Sequence, residues 1–287
     1  MKVIWNSEIV DRSEVTIDPE DRGYQFGDGI YEVIRAYNKE FFCLDEHLDR
    51  FFSSAEKIEM HVPYTKNELK HLANRLLSET GVNTGNLYLQ LTRGVASPRN
   101  HMYPDASVLP MLTGTFTETE RDQQMLDKGI HTIVTEDIRW LKCDIKMISL
   151  LGNIMVKHEA HKKNAYEAIL HRDGIVTECS AANVAIVKNG VIHTHPDGNL
   201  ILPGITKLVW KRCAERLGIP VVEEPFSLDE LYNADEIFCS STTMEVMPVK
   251  KLDNKVFFSE TAGSVTRKLQ EAYKAEIEQC CGKLPVH

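Results

Sequence analysis

The sequence predicts a mixed α+β protein built from two domains. Segments in which apolar and polar residues alternate, as they do in half-buried β-strands, occur in both halves of the chain. Other segments repeat their apolar residues with the 3.6-residue period of an α-helix. A polar stretch that ends at residues 118–122 separates the halves, and 287 residues suit one large domain or two of medium size. We therefore expect domains at residues 1–117 and 123–287, joined by a linker at 118–122.

Composition and charge narrow the range of functions. The chain is 43% hydrophobic and 26% charged, which is typical of a soluble globular protein. Its formal net charge of −9 argues against a nucleic-acid partner or an anionic membrane surface. The first residues lack the apolar core of a signal peptide, and the apolar runs are too short to span a membrane. The seven cysteines form neither CxxC pairs nor zinc spacings, so we expect reduced thiols and a cytoplasmic protein.

Short strands separated by polar turns are predicted at the start of the chain, at residues 3–6, 7–10 and 14–17. A stretch with three glycines, residues 23–29, then leads into a predicted strand at 30–37 that carries Tyr31. Phosphate-binding glycine loops open a helix, whereas this stretch precedes a strand. We therefore interpret it as a turn that lets the backbone approach a neighbour closely and that places Tyr31.

Two amphipathic helices are predicted next, at residues 45–58 and 67–79, because apolar residues recur there at helical spacing. The second helix is expected to stop at Gly81. Arg50 lies outside the apolar stripe of the first helix by its angle around the helix axis. Its position alone therefore predicts a solvated side chain.

A predicted strand at residues 86–93 leads into a loop, 94–104, that contains Arg99 and His101. The prolines of this loop restrict its backbone and would hold the two side chains in a preset arrangement. An arginine can bind a carboxylate through two parallel hydrogen bonds, and a histidine can add another donor. Arg99 and His101 are therefore candidates for binding a carboxylate, with an ordinary basic loop as the alternative.

The second half mixes strands and helices and contains two hairpins. Asp173-Gly174 and Asn189-Gly190 are dipeptides that favour tight two-residue turns, so each is expected to join two strands. An amphipathic helix follows residues 202–206 and stops at Gly218. Further elements are predicted as a short helix that ends at Gly129, strands at 130–135 and 235–239, and helices at about 150–163 and 260–278.

The stretch 139–157 contains two lysines in different settings. Lys142 has polar neighbours and is interpreted as a solvated loop charge. Lys146 lies between an isoleucine and a methionine and precedes further apolar residues. An apolar setting disfavours an ammonium ion and leaves more of the neutral amine available as a nucleophile. Lys146 is therefore a candidate to form a Schiff base with a carbonyl compound.

Three further features suit an anionic or cationic ligand group. Glu178 leaves a largely apolar strand, and an acid that faces inward must find a cationic partner. Residues 202–206 open a helix, whose N-terminus offers backbone N–H groups and the hydroxyl of Thr206 to an anion. Residues 240–243 are four consecutive hydroxyl-bearing residues that follow a strand. Two hydroxyl-bearing turns and an arginine together would suit a phosphate group.

Other chemistries fit the sequence less well. The pairs His193/His195 and His158/His161 lack the one-turn spacing of the HExxH zinc motif, so we expect no catalytic metal. The GxSxG elbow of serine hydrolases does not occur in the sequence. The nucleotide-binding motifs GxGxxG and GxxxxGK[ST] do not occur either.

Six ordered segments are informative in combination: DRGYQFGDGIYE (21–32), EHLDR (46–50), SPRNH (97–101), WLKCDIK (140–146), TECS (177–180) and LPGIT (202–206). Across essentially the whole chain, these segments resemble the pyridoxal-phosphate enzymes of fold type IV, the group of D-amino-acid and branched-chain aminotransferases. Within this group the likeness is strongest to bacterial enzymes that act on D-amino acids such as D-alanine. The resemblance implies an N-terminal α/β sandwich, a C-terminal β-barrel-like domain with flanking helices, and pyridoxal 5'-phosphate as the cofactor.

The resemblance also implies a role for each matching residue. Lys146 would form the Schiff base with the cofactor and move the proton at the substrate Cα, and Glu178 would keep the pyridine nitrogen protonated. Arg99 and His101 would bind the substrate carboxylate, in this family from the partner subunit, and Tyr31 would line the substrate side. The residues expected around the phosphate and the ring are Arg50, Ile205, Thr206, Thr242 and Leu202. For Arg50 this role replaces the solvated position that its helical angle predicts.

The implied function is a ping-pong exchange of amino groups between D-amino acids, of the D-alanine or D-glutamate type, and 2-oxo acids. A homodimer with shared active sites would carry it out. The alternatives are a branched-chain L-amino-acid aminotransferase, in which SPRNH is not expected, and an aminodeoxychorismate lyase. A non-catalytic cofactor-binding protein fits the presence of Lys146 and Glu178 less well. The chain departs from the family at Cys179-Ser180-Ala181-Ala182, which leaves cofactor retention and side-chain preference open.

Overall fold

The computed structural model describes residues 1–285, and contacts between residues divide them into two compact units. The first unit contains Met1–Arg121, Ile145–Leu150 and Cys280–Leu284. The second unit contains Asp122–Asp144, Leu151–Gln279 and Pro285. The segment Ile145–Leu150 therefore packs in the first unit, although its neighbours along the chain belong to the second. That residues 1–117 and 123–287 fold as separate domains stays a prediction.

An antiparallel sheet of six strands is the centre of the first unit. Its strands are β1 (Lys2–Trp5), β2 (Glu8–Asp11), β3 (Gly29–Tyr37), β4 (Glu40–Phe41), β5 (Gly85–Thr92) and β6 (Met111–Glu118). In space they follow the order β2-β1-β6-β5-β3-β4. The helices of this unit are α1 (Arg22–Phe26), α2 (Leu44–Lys57) and α3 (Lys66–Thr80). The apolar sides of α2 and α3 share one core with β3 and β5.

The two predicted helices of the first unit are confirmed, and their sequence explains their ends. Leu48 and Phe51, which lie on the predicted apolar stripe of α2, are fully buried. Thr65 begins α3, because its hydroxyl accepts a hydrogen bond from the N–H of Glu68 at 3.2 Å. Gly81 ends α3 with a φ of 69°, a left-handed conformation that glycine adopts without strain.

The prediction of a strand at residues 14–17 is wrong. Arg12–Glu14 form a short 3₁₀ helix instead. The Glu14 carboxylate accepts a hydrogen bond from the backbone N–H of Asp11 at 2.9 Å, which turns the chain away from the sheet. The alternating pattern there is therefore overridden by a local capping interaction.

The polar stretch before the predicted linker is part of a β-strand, although its sequence does not predict one. Strand β6 continues through Glu118, so the first residue of the predicted linker at 118–122 pairs with Gly85 of β5. Gly114 and Phe116 of this strand are buried, whereas the alternating Thr113, Thr115 and Thr117 are more exposed. Buried and more exposed residues alternate along this part of β6, but the alternating residues are threonine, glycine and phenylalanine and not aliphatic residues.

A mixed sheet of nine strands is the centre of the second unit. Its strands are β7 (Ile130–Glu136), β8 (Glu167–Arg172), β9 (Ile175–Cys179), β10 (Asn183–Lys188), β11 (Val191–Thr194), β12 (Val221–Glu223), β13 (Glu236–Ser241), β14 (Glu245–Leu252) and β15 (Lys255–Val256). They follow the order β12-β11-β10-β13-β14-β7-β8-β9, and β15 pairs with β14. The remaining helices are α4 (Gln123–Lys128), α5 (Leu151–Lys162), α6 (Ile205–Arg216), α7 (Leu228–Tyr232) and α8 (Ser264–Cys281). Across residues 1–285, every helix is too short or too polar to cross a membrane.

Both predicted hairpins are confirmed. Asp173-Gly174 joins β8 to β9, and Asn189-Gly190 joins β10 to β11. All four turn residues have a positive φ, between 49° and 81°. This backbone conformation matches the right-handed twist of the strands on either side. Beyond the first turn the pairing of β8 with β9 shifts by one residue between Ile169 and His171, and Glu178 lies near the end of β9.

Candidate active site

Lys146 lies beside the first residues of β3 in the first unit. Its carbonyl oxygen accepts the N–H of Tyr31 at 2.9 Å, and its own N–H donates to Ser54 Oγ at 3.2 Å. Ile145 and Met147 on either side are buried in the core, whereas Lys146 itself is half-buried. The backbone of Lys146 is therefore fixed from two directions, while its side chain keeps access to solvent.

The side chain of Lys146 is bounded by an aromatic pair. Its Nζ lies 4.4 Å from the ring centroid of Tyr31, and Tyr31 stacks on Tyr88 with the centroids 5.5 Å apart. Burial raises the pKa of Tyr88 to about 12, so its hydroxyl stays protonated and donates to Gln90 Oε1 at 2.7 Å. Tyr31 is thus held next to Lys146 by a second ring that is itself fixed. Lys142, by contrast, is exposed, as the sequence predicts.

Arg50 is buried, so the solvated position that its helical angle predicts is wrong. Its Nε and Nη2 donate to the two carboxylate oxygens of Glu32 at 2.7 and 2.9 Å, and His47 Nδ1 lies 2.8 Å from the same carboxylate. Burial opposes ionisation of Glu32, but Arg50 and His47 outweigh it and lower the pKa of Glu32 to about 2. A carboxylate that accepts two hydrogen bonds from one edge of a guanidinium fixes the direction in which the arginine points.

Arg99 and His101 lie on an exposed loop and meet at one aromatic ring. The guanidinium carbon of Arg99 lies 4.2 Å from the ring centroid of Phe26, and the His101 ring lies 5.5 Å from it. The structure therefore brings together the two side chains that the sequence predicts as carboxylate donors. Their substrate-binding role stays a prediction.

Glu178 of the second unit is buried at the end of β9. Arg139 Nη1 donates to its Oε1 at 2.5 Å, and the Asn183 side chain and the Leu202 backbone N–H donate to its Oε2 at 3.1 Å. Arg139 also donates to Asp137 through Nε and Nη2, at 2.9 and 2.8 Å. The cationic partner that the sequence requires for an inward-facing Glu178 is therefore an arginine shared between two acids.

The sharing of Arg139 leaves Glu178 incompletely compensated. Burial raises the pKa of Glu178 to about 7, although Arg139 acts in the opposite direction. Burial also opposes ionisation of Asp137, but there Arg139 prevails and lowers the pKa, and Arg172 Nε adds a contact at 3.1 Å. A further N–H donor that carries positive charge would stabilise the ionised form of a buried carboxyl group such as Glu178. A protonated pyridine nitrogen is such a donor, so this part of the site fits pyridoxal phosphate.

The start of α6 is shaped for close approach to the backbone. Gly204 is its N-cap, and a Cβ there would lie 2.0 Å from Asn183 Oδ1, so only glycine fits. Asn183 Nδ2 also donates to the Leu202 carbonyl oxygen at 2.9 Å and so fixes the chain that enters the helix. Ile205 and Thr206 form the buried first turn, where backbone N–H groups have no partner within the helix and the dipole favours an anion. This part of the site fits a phosphate group.

Thr242 lies in the turn between β13 and β14, within the cluster of hydroxyls. The hydroxyl oxygens of its neighbours Ser241 and Thr243 are 3.5 Å apart. Ser240 accepts the Nε1–H of Trp210, a residue of α6, at 3.1 Å. The hydroxyl turn and α6 therefore pack in one region of the second unit. That Thr242, Thr206, Ile205 and Leu202 hold the cofactor stays a prediction.

The departure from the family pattern after Glu178 is accommodated inside the sheet. Cys179 is fully buried, and its Sγ lies 3.4 Å from the Sγ of Cys239. The Ser180 hydroxyl donates to the buried carboxylate of Glu167. Both side chains therefore serve packing within the second unit.

The histidine pairs weighed as metal ligands have other surroundings. His195 Nδ1 lies 2.8 Å from the carbonyl oxygen of Pro196, and the rings of His158 and His161 stack with their centroids 6.3 Å apart. Within the part of the chain that the structure describes, no group of three or more His, Cys, Asp or Glu side chains is arranged to hold a metal ion.

The structure adds residues that the sequence argument does not single out. Glu32 and His47 orient Arg50, and Arg139 and Asn183 orient Glu178. A signal existed for Glu32, which is an acid inside the apolar strand 30–37 and therefore needs a partner. For Arg139 the signal was weak, because nothing local distinguishes it from a loop arginine.

Comparison with known proteins gives consistent matches. The chain matches the family model described as "Amino-transferase class IV" over residues 29–252. A D-alanine aminotransferase of Listeria monocytogenes is 50% identical over 285 residues, which cover 99% of this chain and 99% of the relative. A D-alanine aminotransferase of Staphylococcus epidermidis is 47% identical over 277 residues, which cover 96% of this chain and 98% of the relative.

Solved structures with a similar fold include two branched-chain amino acid aminotransferases. The enzyme of Escherichia coli has a TM-score of 0.88 and 25% identity, over 95% of this chain and 93% of that chain. The enzyme of Thermoproteus uzoniensis, solved with norvaline, has a TM-score of 0.87 and 28% identity, over 99% of this chain and 95% of that chain. The predicted mixed α+β fold is thereby confirmed.

Proposed function

The chain belongs to the class IV aminotransferase family, whose cofactor is pyridoxal 5'-phosphate, and we propose that it exchanges amino groups between D-amino acids and 2-oxo acids. The relatives named D-alanine aminotransferase share up to 50% of their residues with it, whereas the branched-chain enzymes share 25 and 28%. The observation that carries the proposal is the pair Arg99 and His101, which meet at the ring of Phe26. Two donors on a fixed ring suit a substrate carboxylate.

Lys146 is the catalytic residue of this proposal. When bound, pyridoxal phosphate supplies the electron sink for the pair of electrons left at the substrate Cα. Lys146 Nζ would take the proton from the Cα and would return it at the cofactor's C4′, so one amine would act first as base and then as acid. The ring of Tyr31, 4.4 Å from Nζ, limits the volume that the amine explores and lines the substrate side.

Glu178 is assigned to the pyridine nitrogen. Its raised pKa, caused by burial and only partly offset by Arg139, means that the carboxylate gains from a positively charged N–H donor. The stabilisation is mutual, because a nearby carboxylate in turn keeps a pyridine nitrogen protonated. Arg139, Asn183 and the Leu202 N–H leave the carboxylate one orientation in which to meet that donor.

Arg50, Ile205, Thr206 and Thr242 are assigned to the cofactor's phosphate, and Leu202 to its ring. Glu32 fixes the orientation of Arg50, and the backbone of Ile205 and Thr206 offers N–H groups at a helix N-terminus. A phosphate dianion needs this excess of donors, since the protein as a whole carries a formal net charge of −9.

A homodimer is the proposed assembly, with Arg99 and His101 serving the partner subunit's site. Helix α5 supports this assembly, because Leu151, Ile154 and Met155 on one side of it are 71, 61 and 54% exposed. Three large apolar residues at this spacing form a continuous stripe that a second copy would cover.

The cytoplasm is the proposed location. The seven cysteines are all free thiols, which suits a reducing compartment.

The D-amino-acid assignment is tested by giving the enzyme D-alanine or L-alanine separately, each with 2-oxoglutarate. We expect pyruvate and glutamate from D-alanine only. Turnover of the L form alone would contradict the assignment, and turnover of L-leucine would favour the branched-chain alternative. Release of pyruvate from aminodeoxychorismate without an amino acceptor would favour the lyase.

Replacement of the proposed catalytic residue tests the mechanism separately. Lys146→Ala is expected to abolish transamination and to change the cofactor's absorption spectrum, because it removes the amine that binds the cofactor. Lys142→Ala is the matched control, since this exposed lysine lies four residues away, and it should leave both unchanged. Turnover at the original rate in Lys146→Ala would refute the mechanism.

A further inference from the structure

The short helix α1 (Arg22–Phe26) precedes β3 and is bonded to the loop that carries Arg99 and His101. Arg22 of this segment is buried, with 4% of its surface exposed. Its Nη1 donates to the carbonyl oxygen of Asn100 at 2.6 Å, and its Nε donates to Asp28 Oδ2 at 2.8 Å. Because Asn100 separates Arg99 from His101 in the chain, this bond fixes the midpoint of the pair.

A second buried arginine holds Asp28 from the other side. Arg93 Nε lies 2.9 Å from both carboxylate oxygens of Asp28, and its Nη groups donate to the carbonyl oxygens of Ile58 and Glu59 at 2.7 and 3.1 Å. The guanidinium carbon of Arg93 lies 3.8 Å from the ring centroid of Tyr103. One carboxylate thus joins two buried arginines, and each arginine contacts a different part of the loop.

Phe26 links this buried group to the exposed donors. Its ring centroid lies 4.8 Å from the guanidinium carbon of Arg22 on the buried side and 4.2 Å from that of Arg99 on the loop. The His101 ring is 5.5 Å away. Exposed arginine side chains lose conformational entropy when they bind, and a ring that already holds them reduces this loss.

We propose that Arg22 and Phe26 are positioning residues for the substrate carboxylate, because Arg22 bonds the backbone between Arg99 and His101 and Phe26 contacts both of their side chains. The inference rests on the proposed carboxylate-binding role of Arg99 and His101. Arg22 and Phe26 act through the loop and do not touch the substrate. Their contribution is pre-organisation, which raises affinity without adding a contact.

A double-mutant cycle on the holoenzyme tests the inference. The dissociation constant of propionate, a carboxylate that cannot be transaminated, is measured by calorimetry for the wild type, Arg22→Gln, Arg99→Ala and the double variant. We expect Arg22→Gln to weaken binding about tenfold in the wild type, as for the loss of a charge-assisted hydrogen bond, and less than about twofold in Arg99→Ala. An equal effect in both backgrounds, or no effect in the wild type, would overturn the inference. An unchanged dissociation constant in Arg99→Ala would refute the proposed function itself, and the inference with it.

Arg35→Gln is the matched control. Arg35 is equally buried in the same unit, donates to a backbone carbonyl, that of Thr119, at 2.8 Å, and lies 5.2 Å from the ring centroid of Tyr37. It should lower the thermal unfolding midpoint as Arg22→Gln does, yet leave propionate binding unchanged. Equal weakening in both variants would mean general destabilisation and would overturn the inference.

Phe26→Leu keeps the inference testable if Arg22→Gln does not fold, since it leaves the buried ion pairs intact. We expect a weakening of propionate binding of about threefold and a matching rise in the KM for D-alanine, with kcat nearly unchanged. A fall in kcat with KM and propionate affinity unchanged would overturn the inference.

Discussion

Two of the buried glutamates of this protein, Glu32 and Glu178, lie in different charge environments. Glu32 of the first unit binds Arg50 with both oxygens and His47 with one, and its pKa falls to about 2. Glu178 of the second unit shares its arginine with Asp137, and its pKa rises to about 7. Burial opposes ionisation of both groups, so the difference lies in their partners.

The difference distinguishes a structural carboxylate, Glu32, from a carboxylate that a cationic ligand would stabilise, Glu178. A fully compensated carboxylate such as Glu32 has no need of a further charge, and its effect is to orient Arg50. An incompletely compensated carboxylate such as Glu178 gains most when a cationic group arrives. Burial alone therefore does not identify a functional acid; whether its cationic partner is shared with a second acid does.

Replacement of Glu32 or Glu178 by glutamine should have the largest effect on the free energy of unfolding, and the two effects should differ. Glu32→Gln leaves a buried Arg50 without its anion and should lower the free energy of unfolding by about 3–5 kcal/mol. Glu178→Gln should cost less, because Arg139 keeps Asp137. Urea unfolding of the two variants checks this order, and equal costs would contradict the comparison.

The pH dependence of stability should run in opposite directions for the two acids. The pKa of Glu178, about 7, lies above its ordinary value of 4.5, so its contribution is present below pH 4.5 and is lost as the pH rises through 7. For cofactor-free protein this loss amounts to about 3 kcal/mol at most. The pKa of Glu32, about 2, lies below 4.5, so its contribution is present above pH 4.5 and is lost as the pH falls towards 2.

Urea unfolding of the cofactor-free protein between pH 4.5 and 7 measures the Glu178 contribution directly. The free energy of unfolding of Glu178→Gln should depend on pH less steeply than that of the wild type. Superimposable profiles would show that Glu178 does not titrate in this range.

Arg139→Lys should have a smaller effect on stability. It tests whether the arginine that Asp137 and Glu178 share controls the pKa of Glu178. Lysine keeps the positive charge but loses the fork with which Arg139 reaches Asp137 and Glu178 at once. We expect a loss of about 2 kcal/mol and a further rise in the pKa of Glu178. A pH profile that stays at its wild-type position would show that Arg139 does not control Glu178.

His47→Gln should have the smallest effect. Burial lowers the pKa of His47, so the ring is neutral at pH 7 and contributes one hydrogen bond to Glu32. Its loss should cost about 1 kcal/mol, which is typical of a neutral hydrogen bond. A cost as large as that of Glu32→Gln would show that His47 carries charge in the folded protein.

Local patterns in the sequence predict most of the fold. The Asp173-Gly174 and Asn189-Gly190 turns and the stripe that contains Leu48 and Phe51 depend on neighbours in the chain, and these predictions are confirmed. The error at residues 14–17 arose where a side chain, Glu14, bonded the backbone more strongly than the strand pattern could show. Such competition is decided by geometry that the pattern does not contain.

The residues that orient Arg50 and Glu178 could not be predicted from local sequence patterns. The partner of Arg50 lies 18 positions away in β3, and the partner of Glu178 lies 39 positions away. A helical angle gives the direction in which Arg50 points but not what it meets there. The resemblance to a family predicts candidate residues. The structure shows the side chains that orient two of these candidates, Arg50 and Glu178.

The segment Ile145–Leu150 packs in the first unit while the chain around it belongs to the second, and this matters for any attempt to divide the protein. A gene cut after Arg121 would give a first fragment without this segment and a second fragment that carries Lys146 away from Ser54 and Tyr31. The second fragment would therefore hold the lysine without the groups that fix it. Split-protein reporters and circular permutants should accordingly place their break points outside residues 121–150.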